Sequence, residues 1–270
     1  MKTKVLKSLL LAAAAIVLVV ASVLGTMAYL TSYATISNTF TVGNVGIQLY
    51  ESKVNDAGVG LDDNPNVHGD MKDAQGNTYH LIPGTTYTKD PTVYINADSD
   101  ASYVFVYLQN GLEAVEQGHF EHTAGMTDII TGNEQPTIHD QMVKNGWALY
   151  KEGLYGDIYV FAAKINKTDR TVIRDADGKA IIEYTEDNTT GEIVRKPVAQ
   201  AVPKVDGVVK LDVFHTFTVD GHANLSAYAT AEINITAYAV QSNTFENVDS
   251  AWAAIVQAYP KQAPVMDAFG

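Results

Sequence analysis

Hydrophobic residues along this chain recur mostly with a period of two, the mark of strands with one face in a core. The clearest alternation runs from Tyr228 to Val240. Ala229, Ala231, Ile233, Ile235, Ala237 and Ala239 fall on one face, while Tyr228, Thr230, Glu232, Asn234, Thr236 and Tyr238 fall on the other. This predicts one long strand whose small-residue face packs closely and whose other face is polar. Ser102 to Gln109 is apolar on both faces, with Val104, Val106 and Leu108 opposed to Tyr103, Phe105 and Tyr107. Such a strand belongs inside a sheet. Shorter strands are expected at 79–82, 92–96, 147–150, 158–163 and 211–219. Turns are expected at Pro83-Gly84 and 96–100, and Asp175-Ala176-Asp177-Gly178-Lys179 is a hairpin signature between 171–174 and 180–184. Between Ile36 and Leu49 the period-two phase slips at Gly43-Asn44, as at a bulge or tight turn.

Helical spacing occurs twice. Thr137 followed by Asp140 forms a capping box ahead of Ile138 and Met142, with Gly146 as the stop, so a helix is predicted over 138–145. Asn247 caps a second helix in which Val248, Trp252, Ile255 and Val256 make one apolar stripe, ending before Pro260. Two segments interrupt the pattern: an acidic, glycine-rich run at 51–78 that reads as a long loop, and a less regular stretch at 110–205. About eight to ten strands, two or three short helices and no βαβ alternation predict an all-β fold, a jelly-roll-like β-sandwich with peripheral helices.

The N-terminus follows a different rule. Lys2, Lys4 and Lys7 precede a stretch from Ser8 to Leu24 that is apolar apart from two serines, and Gly25-Thr26-Met27-Ala28 ends it. This is the layout of a helical signal peptide over 1–28, cleaved between Ala28 and Tyr29, which leaves 29–270 as one secreted domain. The alternative is an uncleaved anchor. Seventeen residues span roughly 26 Å as a helix, just short of the ~30 Å hydrocarbon core.

Composition removes several function classes. There is no cysteine, so thiolate nucleophiles, cysteine-ligated zinc, iron–sulfur clusters and disulfides are excluded. The net charge of −13, which becomes −16 once the leader and its three lysines are removed, leaves no basic face for a nucleic acid. With 46% apolar residues the chain can bury a real core.

Four blocks carry a resemblance. Leu24-Gly25-Thr26-Met27-Ala28-Tyr29-Leu30-Thr31 and Asn38-Thr39-Phe40-Thr41-Val42-Gly43-Asn44-Val45 resemble the export region of the TasA and camelysin family. Leu81-Ile82-Pro83-Gly84 with Lys89, Asn96 and Tyr103-Val104-Phe105-Val106 resembles its turn and aromatic strand, and Ile235-Thr236-Ala237-Tyr238-Ala239-Val240-Gln241 with Phe245 and Trp252 resembles its C-terminal strand and helix. The match is dense only in these blocks. It implies a jelly-roll protein processed by a dedicated signal peptidase, secreted to the matrix or cell surface of a Gram-positive bacterium. It also implies assembly with itself, and with other matrix proteins, into biofilm fibres. The N-terminal strand of one subunit, here carrying Ile36, Phe40 and Val42, would pair with the next. Pairing within its own domain produces the same strand pattern and stays open.

No His-Glu-x-x-His, Gly-x-Ser-x-Gly, phosphate loop or dinucleotide fingerprint occurs. His119-Phe120-Glu121-His122 is the nearest approach to a metal pair, but Gly118 before it and Gly125 after it point to a loop. His68, His80, His139, His215 and His222 are scattered singly. Asp62, Asp63, Asp70 and Asp73 lack the spacing of a calcium loop. Tyr228 and Tyr238 on the polar face of the long strand suit subunit packing or carbohydrate contact. The expectation is a structural protein with no catalytic residue, cofactor or metal. The alternatives are a camelysin-type secreted metalloendopeptidase and a monomeric surface adhesin.

Overall fold

The alternating run near the C-terminus becomes the strand around which the molecule is arranged. In the computed structural model the described residues are 31–35, 39–40, 45–55, 58–59, 76–117, 136–187, 194–204 and 206–259. The strands, in chain order, are β1 (Thr31–Thr35), β2 (Thr39–Phe40), β3 (Ile47–Tyr50), β4 (Thr86–Thr88), β5 (Thr92–Ile95), β6 (Ser102–Asn110), β7 (Trp147–Lys151), β8 (Asp157–Phe161), β9 (Tyr184–Asp187), β10 (Val194–Pro197), β11 (Val209–Asp212), β12 (Thr216–Thr218) and β13 (Ile233–Gln241). The helices are α1 (Ile138–Lys144) and α2 (Val248–Ala258). The fold is all-β, with two short helices.

Six strands form one antiparallel sheet in the order β2-β1-β13-β6-β8-β7. β13 and β6 pair along nine residues, from Ile233 opposite Asn110 to Gln241 opposite Ser102. Opposite residues of an antiparallel pair share a face. Ala237 and Ala239 therefore join Val106 and Val104 on one side, and Tyr238 joins Phe105 on the other. The first side points into the main core with Ile235, Leu108, Phe161 and Trp147. The opposing layer is made of β11-β5-β3 and the pair β12-β4. Every residue of β5 is buried, and Val93 and Ile95 meet Leu49, Ile47, Val209 and Leu211 in the same core.

The second side of the six-stranded sheet is covered by α2. Trp252, Ala251 and Ile255 pack on Phe105, Tyr107, Ile158, Val160 and Tyr238. Trp252 lies 5.0 Å from the Phe105 ring and 5.8 Å, edge-on, from Tyr238. This corrects the polar face expected for the long strand, since Tyr238 is fully buried under the helix. The strand is also shorter than its alternation. Leu225–Ala227 is a 3-10 turn capped by the Asn224 side chain, the Ala231 N–H donates to the Tyr228 carbonyl at 3.1 Å, and pairing begins only at Ile233.

Both helices begin where their caps predict. Thr137 accepts from the Asp140 N–H while the Asp140 carboxylate accepts from the Thr137 N–H, and Asn247 and Ser250 form the same reciprocal pair. Gly146 ends α1 with φ +100, a left-handed value that suits glycine. The strand expected over 211–219 divides into β11 and β12. Gln141 of α1 takes the backbone between them, its Oε1 accepting from the His215 and Thr216 N–H groups at 2.9 and 3.0 Å and its Nε2 donating to the Thr216 carbonyl at 2.9 Å. Residues 79–82 join no sheet among the described residues; the Tyr87 hydroxyl bonds this segment, donating to the His80 carbonyl at 2.8 Å and accepting from the Ile82 N–H at 2.6 Å. The hairpin signature at 175–179 closes as expected, with the Asp175 N–H donating to the Lys179 carbonyl at 2.9 Å; single bridges, not strands, flank it.

Candidate functional site

The N-terminal strand and a cavity beside the start of β13 are the two features with functional content. β1 runs antiparallel to β13 in the register Thr31 opposite Val240 through Thr35 opposite Thr236. β2 turns back on β1, with Phe40 opposite Tyr33, and closes that edge with only two residues. Of the two pairings open from sequence, the one described here is within the chain. β13 extends three residues, Ile233 to Ile235, beyond its described pairing with β1.

Those residues border a cavity of about 1000 Å³ between the segment Gly76–Leu81 and the run Tyr228–Thr236. Tyr87 and Phe217, stacked at 6.4 Å, back it from the core. Lys89 lines it as well, and its ammonium lies 3.1 Å from both oxygens of Glu51. The two side chains are 7% and 0% exposed, so each charge depends on the other. The Tyr79 hydroxyl lies 3.0 Å from Glu51 Oε1 and 2.8 Å from the Thr88 carbonyl, sharing one proton between two acceptors. Burial, reinforced by the Glu51 charge, pushes Tyr79 well above the usual phenol range, so it is a neutral donor. Asn77 ties this corner together, donating to the Ser52 carbonyl at 2.8 Å and accepting from the Val54 N–H at 3.2 Å.

A second buried acid sits at the start of α1. Glu116 is 4% exposed and accepts from the Ile138 N–H at 2.6 Å and from Asn110 Nδ2 at 3.4 Å. Burial raises its pKa to about 7, with the Glu113 and Asp140 charges adding to the shift and the hydrogen bonds opposing it. Burial raises Asp157 in the same sense. Nearby, His139 Nδ1 lies 2.8 Å from the Tyr159 hydroxyl. The chain matches no protein-family model, no curated protein and no solved structure.

The structure brings few of the sequence-marked residues together. Ala28, Tyr29, Ile36 and Val42, the pair His119 and His122, His68, and the aspartates 62, 63, 70 and 73 lie outside the described residues. Phe40 is in β2. Among the described residues no group of three or more histidines and acids is placed to hold a metal ion, and no helix is long and apolar enough to cross a membrane. Tyr228 is half-buried on the cavity wall and is separated in environment from Tyr238. The buried Glu51–Lys89 pair, Glu116 and the cavity itself were not read from sequence. Lys89 was marked only by the resemblance; its acid lies 38 residues away and carries no local signal of burial.

Proposed function

We propose that this protein is a secreted structural subunit that assembles by exchange of its N-terminal strand, and that its strand layers form a jelly roll. The observation that carries this reading is the β1–β13 register. Five N-terminal residues meet the C-terminal strand through an antiparallel ladder, and a ladder is indifferent to which molecule supplies the strand. Withdrawal of β1 from its own chain would expose a long edge on β13, and such edges recruit strands from neighbours. The leader-like segment over 1–28 supports export. The first described strand lying beside the last is the neighbour relation that a Greek key requires, which supports the jelly roll. In this reading the subunit's partners are other copies of itself and matrix proteins.

The test exploits the absence of cysteine. Ser32 and Ala239 are opposite each other, and opposed Cα atoms in an antiparallel pair lie roughly 4.5–5.5 Å apart, within disulfide reach. The double variant Ser32→Cys, Ala239→Cys should remain monomeric by negative-stain microscopy when oxidised and form fibres when reduced. Fibres from a protein whose intramolecular disulfide is verified closed would overturn strand exchange.

A further inference from the structure

We infer that the cavity between Gly76–Leu81 and Tyr228–Thr236 receives residues 36–42 of a second copy of this chain, whose N-terminal strand enters straight along β13. The inference rests on the strand-exchange reading and names the acceptor. The β1–β13 register runs from Thr31 opposite Val240 to Thr35 opposite Thr236. Continued without a shift, it sets Ile36 opposite Ile235, Asn38 opposite Ile233, Phe40 opposite Ala231 and Val42 opposite Ala229. Opposed residues share a face, and Ala34 lies opposite Ala237, which belongs to the main core. Ile36, Phe40 and Val42 keep that phase, so all three point to the side on which Tyr87, Phe217, Leu112, Leu225, Ile233 and Ile235 line the cavity. The donor matches this apolar lining, since no charged residue occurs from Ser8 to Tyr50. Lys89, the cation on the wall, already holds both oxygens of Glu51 at 3.1 Å.

The sequence alternates from Tyr228 onward, yet in the single chain residues 228–231 form a turn and the ladder begins at Ile233. A straight strand entering beside them supplies the partner that the alternation lacks, and the methyl groups of Ala231 and Ala229 leave room for Phe40 and Val42. The chain's own segment cannot do this. In β2, Phe40 lies opposite Tyr33, level with Tyr238, which is seven residues from Ala231 or roughly 24 Å along an extended strand. Moving it there is blocked by the next anchor. The Gly46 N–H donates to Ser99 Oγ at 3.0 Å, and the nearby Ala101 carbonyl accepts from the Ser242 N–H at 2.8 Å, so Gly46 is held at the Gln241 end of the sheet. From Gln241 to Ala231 a straightened strand runs roughly 34 Å, whereas the six residues from Phe40 to Gly46 reach at most about 21 Å. A second copy, whose Gly46 sits in its own body, meets no such limit.

Mixtures of single-cysteine variants test this, because the chain has no cysteine of its own. Asn38→Cys is mixed with Ile233→Cys, and separately Ser32→Cys with Ala239→Cys; each mixture is assembled reduced and then oxidised, and its disulfides are located by mass spectrometry. A bond between the two different variants joins two copies, and opposed Cα atoms roughly 4.5–5.5 Å apart are within its reach. Both the 38–233 and the 32–239 bonds should form. A 32–239 bond without a 38–233 bond overturns the cavity inference and leaves strand exchange standing. Absence of both overturns both, and a 38–233 bond alone keeps the cavity as acceptor while refuting exchange of β1. Side-chain phase is the second readout. Ile36→Ser should raise the concentration needed for assembly about tenfold or more, the least that burying an isoleucine side chain is worth. Ser37→Ala, on the opposite face, should change it less than about twofold. Ala231→Trp, which fills the space assigned to Phe40, should act as Ile36→Ser does. Equal effects at positions 36 and 37, or unchanged assembly with Ile36→Ser, overturn the seating of these side chains in the cavity.

Discussion

Replacing Glu116 with glutamine should change how stability depends on pH, in a direction that burial dictates. The Glu116 carboxyl has a pKa of about 7 in the folded chain against an ordinary 4.5, so the native state holds its proton more tightly than the unfolded state does. The sign follows: between pH 4.5 and 7 the folded protein carries more protons, and stability falls as pH rises. At about 1.4 kcal/mol for each pKa unit, the cost of burying the carboxylate is about 3 kcal/mol, felt in full above pH 7 and relieved by pH 4.5. Glutamine removes the titration and keeps an oxygen for the Ile138 N–H, but its amide nitrogen would face Asn110 Nδ2, donor against donor, at the present 3.4 Å contact. Asn110 cannot rotate freely to relieve this, since its Oδ1 accepts from the Leu112 N–H at 3.1 Å. A fixed penalty on the order of 1 kcal/mol therefore applies at all pH values. Urea unfolding of both proteins at about pH 5 and pH 8 reads the difference directly. With a slope of about 3 kcal/mol/M, the variant's midpoint should gain about 1 M on the parent between the two pH values. Asp157, raised in the same sense, and Asp169 and Glu183, lowered by their hydrogen-bond partners, titrate alike in both proteins and cancel. Parallel pH profiles for parent and variant would refute the assignment of a protonated Glu116 near neutrality.

Two further expectations test the packing. Lys89→Met strands the Glu51 carboxylate, 0% exposed, with the Tyr79 hydroxyl as its remaining side-chain donor among the described residues; a loss of about 3 kcal/mol is expected at pH 8. Adding Glu51→Gln should restore most of this in urea unfolding, and a double variant no better than the single would contradict the coupling. Gly146→Ala places a Cβ 2.5 Å from that of Ala163 at φ +100, for a combined strain of about 3 kcal/mol or more. Its Tm by calorimetry should fall by about 6–12 °C, whereas an unchanged Tm would mean that the end of α1 relaxes freely.

Much of the fold was legible because its signals are local. A cap acts within four residues, so Thr137 with Asp140, and Asn247 as a lone cap, announced both helices from sequence alone; the reciprocal partner Ser250 came from the structure. The doubly apolar run at Ser102 placed β6 between two neighbours, and β13 and β8 are those neighbours. Where a distant group competed for the backbone, the local reading failed. Gln141, more than seventy residues away in sequence, breaks the predicted 211–219 strand by bonding its middle.

Alternation by itself determined that Ile235, Ala237 and Ala239 share a face, because successive side chains of a strand point to opposite sides. It could not determine what covers the other face. Only the packing of α2 buried Tyr238. Likewise the sequence contained Lys89 and Glu51 as two charges with no local sign of partnership, and the fold brought them to 3.1 Å in a buried corner. Periodicity and capping act over a few residues and are written in order along the chain. Partnership across layers depends on which surfaces meet, and that is settled only when the whole chain has closed its core.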